Sequence, residues 1–182
     1  SLAIGAMAFD PTDATRNTLG AGFASYSSFG GLSGPRSGIL RTTNAGATWT
    51  NPGSAGLTAS GENISGIAVR GSTIVVTSSF SSGGIFRSTD GGASFAAVIS
   101  AGYVAGQDFF DLVEDPTDSN RLYAAARSNG IYRSDDFGAT WTKISGVANN
   151  AEMNTLIADG SNNNTEMAVA PTTGRLYAAV LL

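Results

Sequence analysis

One eight-residue pattern occurs three times in this chain. The copies are Thr42-Thr43-Asn44-Ala45-Gly46-Ala47-Thr48-Trp49, Ser88-Thr89-Asp90-Gly91-Gly92-Ala93-Ser94-Phe95 and Ser134-Asp135-Asp136-Phe137-Gly138-Ala139-Thr140-Trp141. Successive copies begin 46 residues apart. A constant period of this length restricts the chain to architectures in which one supersecondary unit repeats and neighbouring units bury each other's apolar faces.

Each copy reads as a tight turn between two strands. Gly38-Ile39-Leu40-Arg41, Gly84-Ile85-Phe86-Arg87 and Gly130-Ile131-Tyr132-Arg133 lead into it. The Asp or Asn at the third position can accept from nearby backbone N–H groups and fold the turn. The Gly at the fifth tolerates a positive φ. The closing Trp or Phe offers a large apolar area to whatever packs beside the hairpin.

The rest of each unit divides into short runs rich in Ile, Val, Tyr and Phe, bounded by Gly, Pro, Asn and Asp, which predict four strands per repeat. The first repeat places them at 3–9, 18–24, 38–42 and 48–50, the second at 64–69, 73–77, 84–88 and 94–98. The third places them at 109–114, 121–126, 130–134 and 140–144. A further half unit follows: Glu166-Met167-Ala168-Val169-Ala170-Pro171 matches a first strand, and Gly174-Arg175-Leu176-Tyr177-Ala178-Ala179-Val180 matches Asn120-Arg121-Leu122-Tyr123-Ala124-Ala125-Ala126. No stretch carries helical periodicity.

The pattern Ser/Thr-x-Asp-x-Gly-x-Thr-Trp resembles the Asp-box, or BNR repeat, of sialidase, xyloglucanase and sortilin-like β-propellers. Asn44 in the first box and Ser94-Phe95 in the second depart from it but keep the acceptor and the aromatic. The resemblance implies an all-β fold: a β-propeller segment of about three and a half four-stranded antiparallel blades, at about 1–52, 62–99, 107–146 and 163–182. It also implies that the boxes are structural turns away from the ligand face. The implied scaffold residues are Thr42, Asn44, Gly46, Thr48 and Trp49; Ser88, Asp90, Gly92, Ser94 and Phe95; and Ser134, Asp136, Gly138, Thr140 and Trp141. The remaining blades are expected from the rest of a longer chain or from another chain.

Composition excludes several functions. With no cysteine and no histidine there is no disulfide, no Cys nucleophile or thiolate metal site, no Ser-His-Asp triad and no His-ligated zinc. A net charge of −4 with Lys143 as the one lysine opposes nucleic-acid binding, which needs clustered cations. No apolar run reaches the length of a membrane span. The resemblance implies an extracellular or cell-surface, secreted and bacterial protein.

In propellers of this kind ligands usually meet the face opposite the boxes, where the b–c and d–a loops lie. Here those loops are long after Ala24 and after Ile144, and long loops in compact domains are enriched in function. Aligning Gly71, Pro116 and Pro171 puts Asn63, Asp108 and Asn163 in register at the openings of first strands, preceded by Glu62, Gln107 and Asn162. With Tyr26, Phe29, Tyr103 and Arg36 they form the expected ligand ring, in which planar groups stack on pyranose faces and amides and acids take hydroxyls. Such oxygens could also hold Ca²⁺, though the chain has no Asp-x-Asp-x-Asp-Gly loop; no cofactor and no metal site are otherwise expected. Glu62 and Asp108 are the carboxyl candidates for a glycoside hydrolase, a chemistry that needs two at a fixed gap. The arginines do not fall at equivalent repeat positions and the sialidase Phe/Tyr-Arg-Ile-Pro opening is absent. The preferred expectation is therefore a non-catalytic segment for glycan or protein recognition, or a structural module. The alternative is part of a secreted xyloglucanase-like or sialidase-like hydrolase.

Overall fold

A computed structural model describes residues 3–25, 36–58, 61–79, 83–99, 106–145 and 164–181. Among them all regular structure is β and every ladder is antiparallel. The first sheet is β1 (Ile4–Phe9), β2 (Leu19–Phe23) and β3 (Ile39–Thr42); the second is β4 (Ile64–Arg70), β5 (Thr73–Ser78), β6 (Gly84–Ser88) and β7 (Ala96–Ala97). The third is β8 (Phe109–Asp115), β9 (Asp118–Ala126), β10 (Gly130–Ser134) and β11 (Thr142–Lys143); β12 (Asn164–Val169) and β13 (Leu176–Leu181) form a two-stranded fourth. Strands therefore run in chain order across each sheet, as the repeat predicts. The fourth strand is where expectation and structure differ: in the first sheet it shrinks to one bridge, Arg41 to Thr50, and in the next two to a two-residue strand. Its residues lie at the outer edge, where little packs on them.

The box turns are built alike. The first-position hydroxyl accepts from the Gly backbone N–H, at 3.0 Å for Thr42 and Gly46, 2.9 Å for Ser88 and Gly92, and 2.8 Å for Ser134 and Gly138. The third-position acid or amide accepts from the backbone N–H of Thr48, Ser94 or Thr140 at 2.8–3.0 Å. In the Asp boxes a second carboxylate oxygen also takes the Ser94 or Thr140 hydroxyl proton. Asn44 reverses that bond: its Nδ2 donates to Thr48 Oγ1 at 2.8 Å. The amide thus closes the same ring, which is why the first box needs no Asp. The Ser94 and Thr140 bonds hold Asp90 and Asp136 ionised below the ordinary carboxylate range, although partial burial of Asp136 works against them.

The apolar cores lie between sheets, not within them. Ile39 of the first sheet packs with Ile64, Ile67, Val69 and Phe95 of the second; Val75 and Ile85 of the second pack with Leu112, Phe137 and Trp141 of the third; Tyr123 and Ile131 of the third pack with Met167 of the fourth. Phe95 and Trp141 thus sit against the preceding sheet. Trp49, in the first box, has no preceding sheet among the described residues and is 39% exposed.

Charged side chains reach the other way. Arg41 and Arg87 hold one repeat position and donate to carbonyls of the following sheet, Gly71 at 3.0 Å and Phe137 at 3.1 Å. Arg133, at the same position, instead turns to Asp135 at 3.0 Å.

Candidate functional site

The first strand of each sheet contacts the first strand of the next, so β1, β4, β8 and β12 line one axis. Such strands are sheet edges with unpaired backbone groups. Side chains from neighbouring sheets satisfy several of these groups. Asp10 Oδ2 accepts from Gly71 N at 2.6 Å, Asp111 Oδ2 accepts from Met167 N at 2.7 Å, and Ser65 Oγ donates to Phe109 O at 2.6 Å. Glu114 takes the Val69 N–H.

Three of these four strands share an irregularity. The ladder register shifts between Ile4 and Ala6, between Ile64 and Gly66, and between Phe109 and Asp111. An inserted bulge residue re-aims its side chain and commonly does so beside functional sites. The bulged residues Gly5, Ser65 and Phe110 meet Asp111, Asn164 and Glu166 around a cavity of about 400 Å³. Each of the four sheets contributes to it.

The cavity is acidic and short of donors. Burial lifts the Asp111 carboxyl above its ordinary range, and the nearby Glu166 charge adds to this, while the Met167 and Leu112 N–H groups oppose it. Asn164 Nδ2 donates to Glu166 Oε1 at 3.3 Å. Asn164 Oδ1 is buried with no hydrogen-bond partner. No group of three or more potential metal-ligating acids converges among the described residues.

Asn63, Asp108, Glu62, Gln107 and Arg36 are not among the residues lining this cavity. Asn63 is buried and ties the second sheet to the first, Oδ1 accepting from Ser25 N at 2.8 Å and Nδ2 donating to Ser25 O at 3.3 Å. Asp108 pairs with Arg127 at 3.2 Å. Their backbone carbonyls hold equivalent places, accepting from Ser79 and Arg127 N–H groups. The side chains, however, bind strand ends. Glu62 is 1% exposed and takes a bond from the Ser78 hydroxyl. Gln107 Nε2 donates to Arg127 O at 2.5 Å, and Arg36 Nη1 donates to Gly61 O at 3.1 Å. Tyr26, Phe29, Tyr103, Asn162 and Asn163 lie outside the described residues. Sequence reasoning missed Ser65, Phe110, Asp111, Asn164 and Glu166. The available signal was an acid inside an apolar first strand, as in Phe109-Phe110-Asp111-Leu112-Val113.

Radially ordered antiparallel sheets, closed by Asp-box turns and packed face to face around a shared axis, make this chain a β-propeller segment, as the repeat implied. A family model, the BNR/Asp-box repeat, matches residues 132–143. No curated protein matches the chain. Solved structures do. YCF48 from Cyanidioschyzon merolae is 16% identical with a TM-score of 0.60 over 97% of this chain and 49% of that one. A GH74 enzyme from Niastella koreensis is 21% identical with a TM-score of 0.60, and a GH74 xyloglucanase from Xanthomonas campestris 22% identical with a TM-score of 0.60; each match covers 97% of this chain and 26% of the other. The chain spans about half the length of the first and about a quarter of the two hydrolases. What it shares with them is the fold.

Proposed function

We propose that this chain is a non-catalytic recognition segment of an extracellular Asp-box propeller, receiving a glycan or a protein side chain at the axial cavity. Further blades, from a longer chain or from another one, complete the ring. The observation that carries the reading is the bulge shared by β1, β4 and β8, whose residues Gly5, Ser65 and Phe110 line one cavity together with Asn164, which has an unpartnered amide oxygen. Acceptors such as Asn164 Oδ1 and Glu166 suit sugar hydroxyls or protein N–H and ammonium groups, and Phe110 supplies a planar face.

Two features favour binding over hydrolysis. Glu62 is enclosed, and Asp108 is held by Arg127, whereas hydrolysis needs two carboxyls facing one scissile bond. The likeness to GH74 enzymes supports a hydrolase only as shared architecture, and fold does not fix function.

A glycan and peptide array, run beside a fluorogenic glycoside panel, tests the proposal. Binding without turnover, weakened by Asn164→Ala and Glu166→Gln and unchanged by Asp108→Asn, is the expected result. Turnover that Asp108→Asn abolishes would establish the hydrolase instead.

A further inference from the structure

The side chains of the axial cavity are rich in acceptors and poor in donors. Gly5, Ser65, Phe110, Asp111, Asn164 and Glu166 line it. Ser65 has one hydroxyl proton, and Phe109 O takes it at 2.6 Å. Thr77 Oγ1, at 3.0 Å, is then the donor of the second bond, and Ser65 keeps a lone pair to spare. Asp111 accepts from Leu112 N at 2.8 Å and from Met167 N at 2.7 Å, one bond at each oxygen. Each of those oxygens can accept once more. Asn164 Nδ2 gives one N–H to Glu166 Oε1 at 3.3 Å. This bond orients the amide, because flipping it would set two acceptors against each other. Asn164 Oδ1 is left buried and unpartnered.

Charge on the lining is equally one-sided. Asp111 and Glu166 are acids, and no Arg or Lys lies among the lining residues. Burial, and with it the Glu166 charge, lifts the Asp111 carboxyl above its ordinary range. A positive ligand would relieve that repulsion.

These features separate the candidate ligands. A pyranose presents hydroxyl oxygens that need donors as well as acceptors, and the lining side chains have few donors to give. Calcium takes roughly six to eight oxygens, and no group of three potential ligating acids converges among the described residues. An alkylammonium group carries three donors, no acceptor and one positive charge. Its donors suit Asn164 Oδ1, Glu166 and Ser65. Its methylene stem suits the half-buried Phe110, whose ring face also attracts cations.

We propose that the axial cavity takes the ammonium group of a lysine side chain from a protein partner, a choice that rests on this cavity being the recognition site proposed above. The slim stem favours lysine over an amino sugar. Asn164 Oδ1 is recessed, whereas the amine of a sugar sits directly on its broad ring.

Two-dimensional amide NMR titrations of the wild-type chain test this. The probes are Nα-acetyl-lysine methylamide, its Nε-acetyl derivative, glucosamine, N-acetylglucosamine and calcium chloride. The lysine probe should shift the Ser65, Phe110, Asp111 and Glu166 amides saturably. Nε-acetylation removes the charge and should weaken binding by at least about tenfold. Glu166→Gln should weaken it to a similar degree without lowering the melting temperature, because Glu166 is exposed. A lysine probe that binds no better than its acetylated form overturns the proposal, as does a Glu166→Gln variant that binds as well as wild type. Tighter binding of either sugar, or displacement of lysine by calcium at the same amides, also overturns it; sugar binding there would leave the recognition site standing with a glycan ligand. If no probe moves these amides the lysine proposal falls, and the glycan and peptide array decides separately whether the cavity binds a ligand at all.

Discussion

Glu114 provides a test of how the sheets are joined. It projects from β8 toward the second sheet, takes the Val69 N–H, and keeps a buried Oε1 with no partner. Loss of water pushes its carboxyl up from 4.5 to about 7; the Val69 N–H and the Arg70 guanidinium oppose this, and the Asp10 charge adds to it. In the unfolded chain the group ionises near its ordinary value, whereas the folded protein holds the proton until about pH 7. Between those values the unfolded state binds fewer protons, so stability falls as pH rises. Below the ordinary value the group costs nothing, and above about pH 7 the cost is complete at about 3 kcal/mol, the gap converted at about 1.4 kcal/mol per pKa unit. Glu114→Gln keeps the shape and the acceptor for Val69 but never ionises. It should therefore match wild type in urea unfolding at about pH 4 and exceed it by about 3 kcal/mol at about pH 8.5. That gain would raise the melting temperature by about 6–12 °C for a chain of this size. Both proteins share every other carboxylate, so the difference isolates Glu114. A constant offset between the two unfolding curves at all pH values would refute the reasoning, as would a wild type that gains on the variant on the alkaline side.

The depressed box carboxylates act in the opposite sense: stability supplied by Asp90 and Asp136 is present above the ordinary carboxylate range and is lost as pH falls through their lowered values, so Glu114→Gln should still unfold in acid. Asp136→Ala, which strips three bonds from the turn, should cost about 2–3 kcal/mol in chemical denaturation, whereas Asp136→Asn should cost under about 1 because Asn44 closes the same ring in the first box. Trp141→Ala should lose about 3–5 kcal/mol as a buried aromatic, while Arg36→Ala should change stability by about 1 kcal/mol or less; equal thermal shifts would contradict the scaffold role of the box. Gly92→Ala combines a φ of +96° with a clash against Ile39 and should unfold more readily than Gly71→Ala, which has a φ of +58° and nothing within 4 Å; differential scanning calorimetry would order them.

The sheets were legible in the sequence because two periods coincide there. Alternation of two marks each strand, and the 46-residue spacing aligns the boxes, so Ile39, Ile85 and Ile131 could be placed in one layer before any coordinate was known. The burial of their neighbours was less legible. Trp49 and Trp141 stand in near-identical turns, and only the presence of a preceding sheet separates an exposed ring from a buried one. The cavity was not legible because a bulge leaves no mark in composition. Gly5, Ser65 and Phe110 share a place in the register but no chemistry, and the lining is drawn from these bulges and from Asp111 rather than from Asn63 and Asp108.

An acid in an innermost strand has two competing employments, and the hydrogen bonds separate them. These strands are edges whose N–H groups need acceptors, and Asp10, Asp111 and Glu114 supply them across the sheet boundaries. Asp111 is engaged at both oxygens, Oδ2 by Met167 N–H and Oδ1 by Leu112 N–H. Replacing it would loosen the joint between the third and fourth sheets as well as alter the cavity, so a loss of ligand binding in that variant would be ambiguous. Asn164 differs. Its Oδ1 is buried against the cavity with no partner, and its Nδ2 makes one long bond, to the exposed Glu166. Asn164→Ala should therefore reduce binding with little change in melting temperature, whereas Asp111→Asn should shift both; a variant at Asn164 that melts early without losing ligand would return this amide to the scaffold.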